Sequence, residues 1–549
     1  MRSSKQKITR RDLLATPAAL AVSSVVLPRS ARALGSSLLE PSKANDLGKA
    51  AMLSARHCAH YGFPAAALLP RAFEADLLLN DPELLRDVAV RAADIIAQGS
   101  FDPRHFSRLE LVVAPELSHG SRRVWAFTEP QDAVTYLTLA VLIAPFIEAR
   151  KIPVTDNVVY SHRFLPGRHR LYDERFSVAS FRAAARQRAE ADGFIVITDL
   201  ANCFGRLGNE RMAAALERCG VPGWQVEYVG QLLGFWQYRD GPGLPIGSNA
   251  SRILAEAVLL QVDDRLRAAG IDYIRYMDDF LLFAPDQSAA HVALEAARDA
   301  AASEGFGLKA DKTSILRFAK ATTDGDPERG LRERNLQRLA GSASFTDGLP
   351  RDRQRANATE IRMLQSVRAA PGAGSFLQGK MAAVPQLRRA IRRAIYAGHS
   401  DFLRAIPQLL SRYPEIGGFV AFELSQASDF VPEDVRTHLR DEFAAMLLDQ
   451  STPDFLAVKL IGILSHSDYR DRAALERLAR ARAMNPRGIV FRAVLDALRN
   501  TGGVTPDLVS RFEEMDGWAK RSVLMDPTCR SLITYSSAKL DLIAAKLVG

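Results

Sequence analysis

Two adjacent carboxylates, Asp278 and Asp279, interrupt an apolar and aromatic stretch that runs from Tyr273 to Phe283. Like charges side by side repel, so a pair presented at the mouth of a sheet favours a cation between it and a partner. Asp199 ends the β-branched run Phe194-Ile195-Val196-Ile197-Thr198, and Lys312 closes Leu308-Lys309-Ala310-Asp311-Lys312. Hard divalent cations such as Mg²⁺ or Mn²⁺ take oxygen ligands, typically one or two carboxylates plus phosphates and water. Two such ions suit an in-line phosphoryl transfer, in which a 3′-hydroxyl attacks an α-phosphate. Asp199, Asp278 and Asp279 are therefore the candidate catalytic residues and metal ligands, with the carbonyl of Leu200 as a further ligand. Asp279 is the weaker ligand, because neighbours on a strand face opposite ways. The plainer alternative is a solvated hairpin tip, since Asp is a good turn residue.

These residues need elements to hold them. The residues on either side of the Asp pair predict two strands with the carboxylates at the turn. Phe194 to Thr198 predicts a buried strand with Asp199 at its exit. The turn-rich loop from Gly241 to Ser248 leads into a helix predicted over Asn249 to Ala268, with Ser248 or Asn249 as its cap. Further helices are expected over Ala66 to Asn80, Pro82 to Gln98, Asp132 to Ala149, Arg211 to Cys219 and Ala289 to Glu304. Ser121 to Phe127 reads as a basic strand or loop, and Tyr160 to Phe164 as a basic-aromatic stretch. After about residue 380 the chain becomes amphipathic helices broken by Pro or Gly, among them Val384–Ala397, Asp401–Arg412, Val435–Leu448 and Arg472–Ala483. That pattern suits an irregular helical-repeat solenoid or a plain helical bundle.

Four stretches in this order resemble motifs A to D of reverse transcriptases: Asp199-Leu200-Ala201-Asn202-Cys203-Phe204, Gly243-Leu244-Pro245-Ile246-Gly247, Tyr276-Met277-Asp278-Asp279 and Leu308 to Thr313. The resemblance implies an α+β right-hand polymerase (fingers and palm) followed by an all-α helical-repeat-like C-terminal domain. It places fingers and palm over residues 36–320, a thumb or linker over 321–380 and the helical domain over 381–549. It implies synthesis of DNA from dNTPs on an RNA template or none, with RNA and/or DNA as partners. Phe204 falls at the aromatic steric gate that favours dNTPs over rNTPs; a core Phe beneath the strand is the other reading. Ile246 and Gly247 belong to the nucleotide-binding loop, and Lys312 to a cation beside the leaving pyrophosphate. Arg122 and Arg123 lie where fingers contribute triphosphate contacts, and Tyr276 lies beside the primer end. Ile246 stands where many members carry Gln. The Leu244-Pro245-Ile246-Gly247-Ser248 form, followed by Ser251 to Glu256, is similar to the bacterial defence-associated and abortive-infection group. Some of that group prime from a protein tyrosine, for which Tyr396, Tyr413, Tyr469 and Tyr535 are candidates; packing tyrosines are the plainer reading. The group also raises a homo-oligomer and anti-phage defence. A retron-like or housekeeping enzyme with a dedicated non-coding RNA, and a catalytically idle nucleic-acid-binding scaffold, are the rivals.

Composition adds limits rather than identity. The 549 residues are 47% hydrophobic and 25% charged, which is ordinary for a globular protein and excludes a disordered or membrane-dominated chain. A net charge of +9 with pI near 9.4 suits a polyanionic partner. Cys58, Cys203, Cys219 and Cys529 show no metal spacing and read as free thiols. Within residues 1–35, Arg10-Arg11 precedes an apolar run ending in Ala31-Arg32-Ala33, which resembles a twin-arginine export signal. The need for nucleoside triphosphates favours the cytoplasm instead, with an upstream start codon or an ordinary helix accounting for these residues. Beyond that segment the reading expects no membrane span.

Overall fold

In the computed structural model, residues 41–63, 72–115, 122–189, 193–237, 243–318, 361–363, 373–378, 384–533 and 540–548 are described. The export-like segment, Tyr535 and most of the thumb or linker region lie outside them.

A four-stranded antiparallel sheet lies where the palm is expected, in the order β4 (Asp272–Tyr276), β5 (Asp279–Ala284), β3 (Gly193–Asp199) and β6 (Ser314–Phe318). β3 is paired on both edges, so its apolar run is buried from Ile195 to Asp199. Register places Asp199 directly opposite Asp279. The helix α10 (Gln287–Ser303) packs on β3 and β5, while α9 (Asn249–Ala268) meets β4 through acidic side chains. α9 begins where Ser248 Oγ accepts the Ala250 N–H, as its cap position predicts.

The region expected as fingers meets the sheet through α9. It comprises α1 (Pro41–Tyr61), α2 (Phe73–Asn80), α3 (Pro82–Ala97), the hairpin β1 (Glu110–Pro115) and β2 (Arg122–Phe127), and α4 (Pro130–Arg150). Among the described residues α4 is the one helix long and apolar enough to cross a membrane, which corrects the expectation of none. It is the core helix of this region, enclosed by α1, α3 and α9. Its apolar character is explained by that burial. Between fingers and palm lie α5 (Val178–Arg188), α6 (Cys203–Arg206), α7 (Asn209–Arg218) and α8 (Gly223–Trp236).

The rest is helical, from α11 (Ala373–Gln378), α12 (Val384–Ala397), α13 (Ser400–Arg404), α14 (Ile406–Arg412), α15 (Gly417–Gln426) and α16 (Glu433–Leu448) to α17 (Asp454–Leu464), α18 (Arg472–Arg482), α19 (Ile489–Asn500), α20 (Gly517–Leu524), α21 (Pro527–Leu532) and α22 (Leu542–Val548). α12, α15, α17 and α19 stack in one row, and α16 and α18 form a second row beside it. Alternate helices touching in this way is the packing of a solenoid. The single helix expected over Asp401–Arg412 is two, because Pro407 lacks an N–H and its ring crowds the preceding turn.

The last helices fold back onto the fingers. Trp518 packs on Phe127 at the end of β2 and on Phe63. Arg492 and Arg521 both reach the buried Glu74, at 2.8 Å and 3.0 Å, and Arg521 also holds Glu129 and Asp541. Burial alone would raise the Glu74 carboxyl, but the two guanidiniums outweigh it and hold it at about 2. Glu110 of β1 behaves oppositely. It accepts the Ile489 N–H, yet burial and the nearby Asp516 push it up to about 7. An acid raised in the folded state keeps a proton that the unfolded chain releases between its ordinary value of 4.5 and about 7. Stability from this contact is therefore full below about pH 4.5 and is lost as pH rises through 7. Thermal unfolding at pH 5 and pH 8 should show a smaller drop in Tm for Glu110→Gln than for the wild type. An equal drop in both would place the titrating group elsewhere.

Candidate active site

The three carboxylates converge where β3 leaves the sheet and the β4–β5 turn crosses it. The Leu200 N–H donates to the Asp278 carbonyl at 3.1 Å, tying the exit of β3 to the turn. Met277, the first turn residue, has φ of +54°, a conformation disfavoured for a side chain of its size. The segment after β6's predecessor helix α10 closes the other side: Lys309 N–H donates to the Asp199 carbonyl at 2.8 Å, and Ala201 N–H to Gly307 at 2.7 Å. This brings Lys312 Nζ into an ion pair with Asp199.

Electrostatics follow from that crowding. Burial raises Asp199, with Lys312, Lys309 and Arg123 working against the shift. Burial and Asp199 raise Asp278; burial, Asp278 and Asp199 raise Asp279. Burial opposes the charge on Lys312, but Asp199, Asp279 and Asp278 outweigh it and hold the ammonium above its ordinary value. Three mutually repelling carboxylates with all-oxygen donors fit a hard divalent cation. Among the described residues no three acidic, His or Cys side chains form a ligand cage by themselves.

The loop before α9 reaches this centre through glycine. A Cβ on Gly243 would stand 2.7 Å from the Phe204 carbonyl and 2.8 Å from Gly205 Cα, so the loop can lie against α6 only without a side chain there. Leu244 N–H donates to that same Phe204 carbonyl. Gly247 has φ of +111°, open to glycine, and the Ile246 carbonyl accepts the Ala126 N–H of β2 at 3.1 Å. The fingers hairpin is thereby fastened to the loop.

Of the residues expected from sequence, Asp199, Leu200, Asp278, Asp279, Phe204, Ile246, Gly247 and Lys312 are brought to this region. Arg123 is too, since it lowers both Asp199 and Asp278. The Arg122 backbone lies in β2, and its side chain is outside the described residues. Tyr276 is 3% exposed, its ring beside Phe181 and His162, which is a packing position. Of the tyrosines named as priming candidates, three take packing positions. Tyr396 packs on Phe430, Tyr413 donates to the Phe376 carbonyl, and Tyr469 is fully buried. A priming hydroxyl must reach the polymerising centre, and these three are enclosed in the helical core. Two basic residues went unforeseen: Lys309, and Arg182 of α5, which lowers Asp279. Lys309 lies in the motif D stretch and was legible there; Arg182 has no distinguishing spacing. A cavity of about 460 Å³ lined by Arg188, Gly193, Phe283 and Phe318 lies at the other end of the sheet, away from the carboxylates.

Residues 154–364 match the family described as reverse transcriptase (RNA-dependent DNA polymerase). The chain therefore carries an RNA-directed DNA polymerase domain of the right-hand fold, and the matched stretch contains all three carboxylates. No curated protein matches the sequence. Among solved structures, telomerase from Candida albicans in complex with a TWJ fragment of telomeric RNA is similar at 11% identity, covering 64% of this chain and 66% of that one, with a loose overlay of TM-score 0.29. The chain thus spans just under two thirds of that telomerase chain.

Proposed function

We propose that this protein synthesises DNA from dNTPs on an RNA template, using Asp199, Asp278 and Asp279 to hold Mg²⁺, with Mn²⁺ as the alternative ion. The observation that carries the reading is the meeting of Asp199 and the Asp278–Asp279 turn on adjacent strands, beside Lys312, within a stretch of reverse transcriptase type. Bound there, a pair of divalent ions supplies charge stabilisation for the attacking and leaving oxygens of an in-line displacement. Lys312 and Arg123 place positive charge beside the position where triphosphate charge develops, in a site already half dry, where such charge counts for more than in water. The Gly247 loop and the β1–β2 hairpin fastened to it form the wall against which a nucleotide would be held. Phe204, half-buried at the foot of that loop, is the proposed gate against a 2′-hydroxyl.

Purified protein with Mg²⁺, labelled dNTPs and a primed RNA should extend the primer. Extension on DNA alone, or none on any primed template, would overturn the RNA-directed reading. In the same assay Phe204→Ala should raise rNTP use relative to dNTP by about tenfold or more. An unchanged ratio would make Phe204 a core residue. A role in anti-phage defence is the extension of this reading that the motif B form and the solenoid-like helices favour. It is tested by whether a phage-challenged host is protected by the wild type and not by a variant lacking the Asp pair.

A further inference from the structure

Beneath the Asp278–Asp279 turn lies a group of buried charges that the chemistry above does not use. Arg275, three residues before Asp278, is fully enclosed. Its guanidinium donates to Asp263 at 2.7 to 3.0 Å and to Glu256 at 3.0 and 3.3 Å. Glu256 and Asp263 are two turns apart on α9 and so share a face. Glu256 is 1% exposed and collects more than Arg275. Ser161 Oγ donates to it at 2.6 Å and Lys151 Nζ lies 3.5 Å away. Lys151 also donates to the His162 carbonyl at 2.8 Å, and pairs with Glu148, which Arg163 holds as well.

Three cations (Lys151, Arg163, Arg275) face three anions (Glu148, Glu256, Asp263), so the group is neutral as a whole. Burying five of these six charges, with Glu148 half-buried, is poor value as stability, since well-packed apolar residues do as well. What the arrangement does specify is position. Backbone hydrogen bonds of 2.9 Å join Arg275 to Val158 and Tyr160 on the same segment that carries Ser161 and His162. His162, itself at φ of +45°, brings Nδ1 to 2.8 Å from Met277 Sδ. The strained turn is therefore gripped from two sides: through Arg275 by α9, whose start is the Gly247 loop, and through His162 by the segment 158–164. Glu256 takes part in both grips, through Arg275 on one side and through Ser161 and His162 on the other.

We propose that Glu256 is a positioning residue for nucleotide transfer, fixing the Met277–Asp279 turn in register with Asp199 and with the Gly247 loop. The proposal rests on the polymerase reading above. Wild-type activity, and its loss in the Asp278→Ala/Asp279→Ala variant, are measured first, so failure of that reading is seen separately. Glu256→Gln keeps the shape and removes the charge that balances Lys151 and Arg275. Lys151→Met/Glu256→Gln restores neutrality with two ions of each sign, and Ser161→Ala removes two hydrogen bonds, one donated to Glu256 and one accepted from Arg275, with no change of charge.

Displacing catalytic groups by about an ångström costs on the order of a hundredfold in rate. Glu256→Gln should accordingly lower kcat about ten- to a hundredfold, leave KM for dNTP within about twofold, and raise the Mg²⁺ concentration needed for half-maximal rate. The charge-balanced double variant should regain the wild-type Tm while kcat stays low. Ser161→Ala should lower kcat severalfold with a fall in Tm of only a few degrees, which keeps the test decisive if Glu256→Gln alone does not fold. Recovery of both Tm and kcat in the double variant would show a purely structural ion cluster and overturn the proposal. A kcat within twofold of wild type for both Ser161→Ala and the double variant would overturn it equally.

Discussion

Replacing Asp278 and Asp279 together by alanine should lower dNTP incorporation by at least about a thousandfold, a barrier increase of about 4 kcal/mol. Both side chains lie at one turn, opposite Asp199, so the change removes oxygen ligands and leaves the strands that carry them. A second measurement sharpens the expectation. Asp278 is raised by burial and by Asp199, and Asp279 by burial, Asp278 and Asp199, which means the folded chain holds their charges at a cost. Removing them relieves that repulsion, so Tm should hold or rise while activity vanishes. This is the pattern of a site whose function opposes stability. Incorporation above a few per cent of wild type would mean that these carboxylates hold no essential ion. A matching collapse of Tm and activity would mean that they hold the hairpin rather than the reaction.

The second large effect concerns the join between the helical region and the fingers. Arg521 is enclosed with Glu74, Glu129 and Asp541, its guanidinium against the Trp518 ring. Removing one partner from a buried ion cluster leaves the remaining charges unpaired in a dry place, at about 3–5 kcal/mol. Arg521→Ala should therefore lower the Tm of the full chain by about 3–4 °C and admit protease between the two regions. Arg521→Met, which restores most of the volume, should be nearly as damaging, because the loss is of charge pairing. Arg521→Lys should recover part. Thermal unfolding with limited proteolysis reads all three; full rescue by Met would show that volume, not charge, holds the join.

Much of the palm was legible because its signals are local. The helix over Asn249 to Ala268 follows from its Ser248 cap and unbroken pattern, and the β4–β5 hairpin from residues that suit only strands. The convergence of Asp199, Asp278 and Asp279 was legible through their order and through the strand endings. Elsewhere the deciding contacts are distant in sequence. α8 was unforeseen because Gly223, Gly230 and Gly234 weaken its helical reading, and burial against α7 overrides propensity. Tyr396, Tyr413 and Tyr469 show hydroxyls in the sequence but not the core that encloses them. Arg275 looked like one more arginine in a basic chain. Its significance needed Glu256 and Asp263 on the facing helix.

The join between Glu74 and the last helices also sets an order of events during synthesis. Glu74 emerges early and finds Arg492 and Arg521 only 418 and 447 residues later. At roughly 5–20 residues per second, the nascent fingers wait on the order of 20–90 seconds for these partners. During that interval an acid destined for the interior remains hydrated, and the face that Trp518 will cover stays open. A ribosome that stops early would thus release fingers and palm lacking their closing charges.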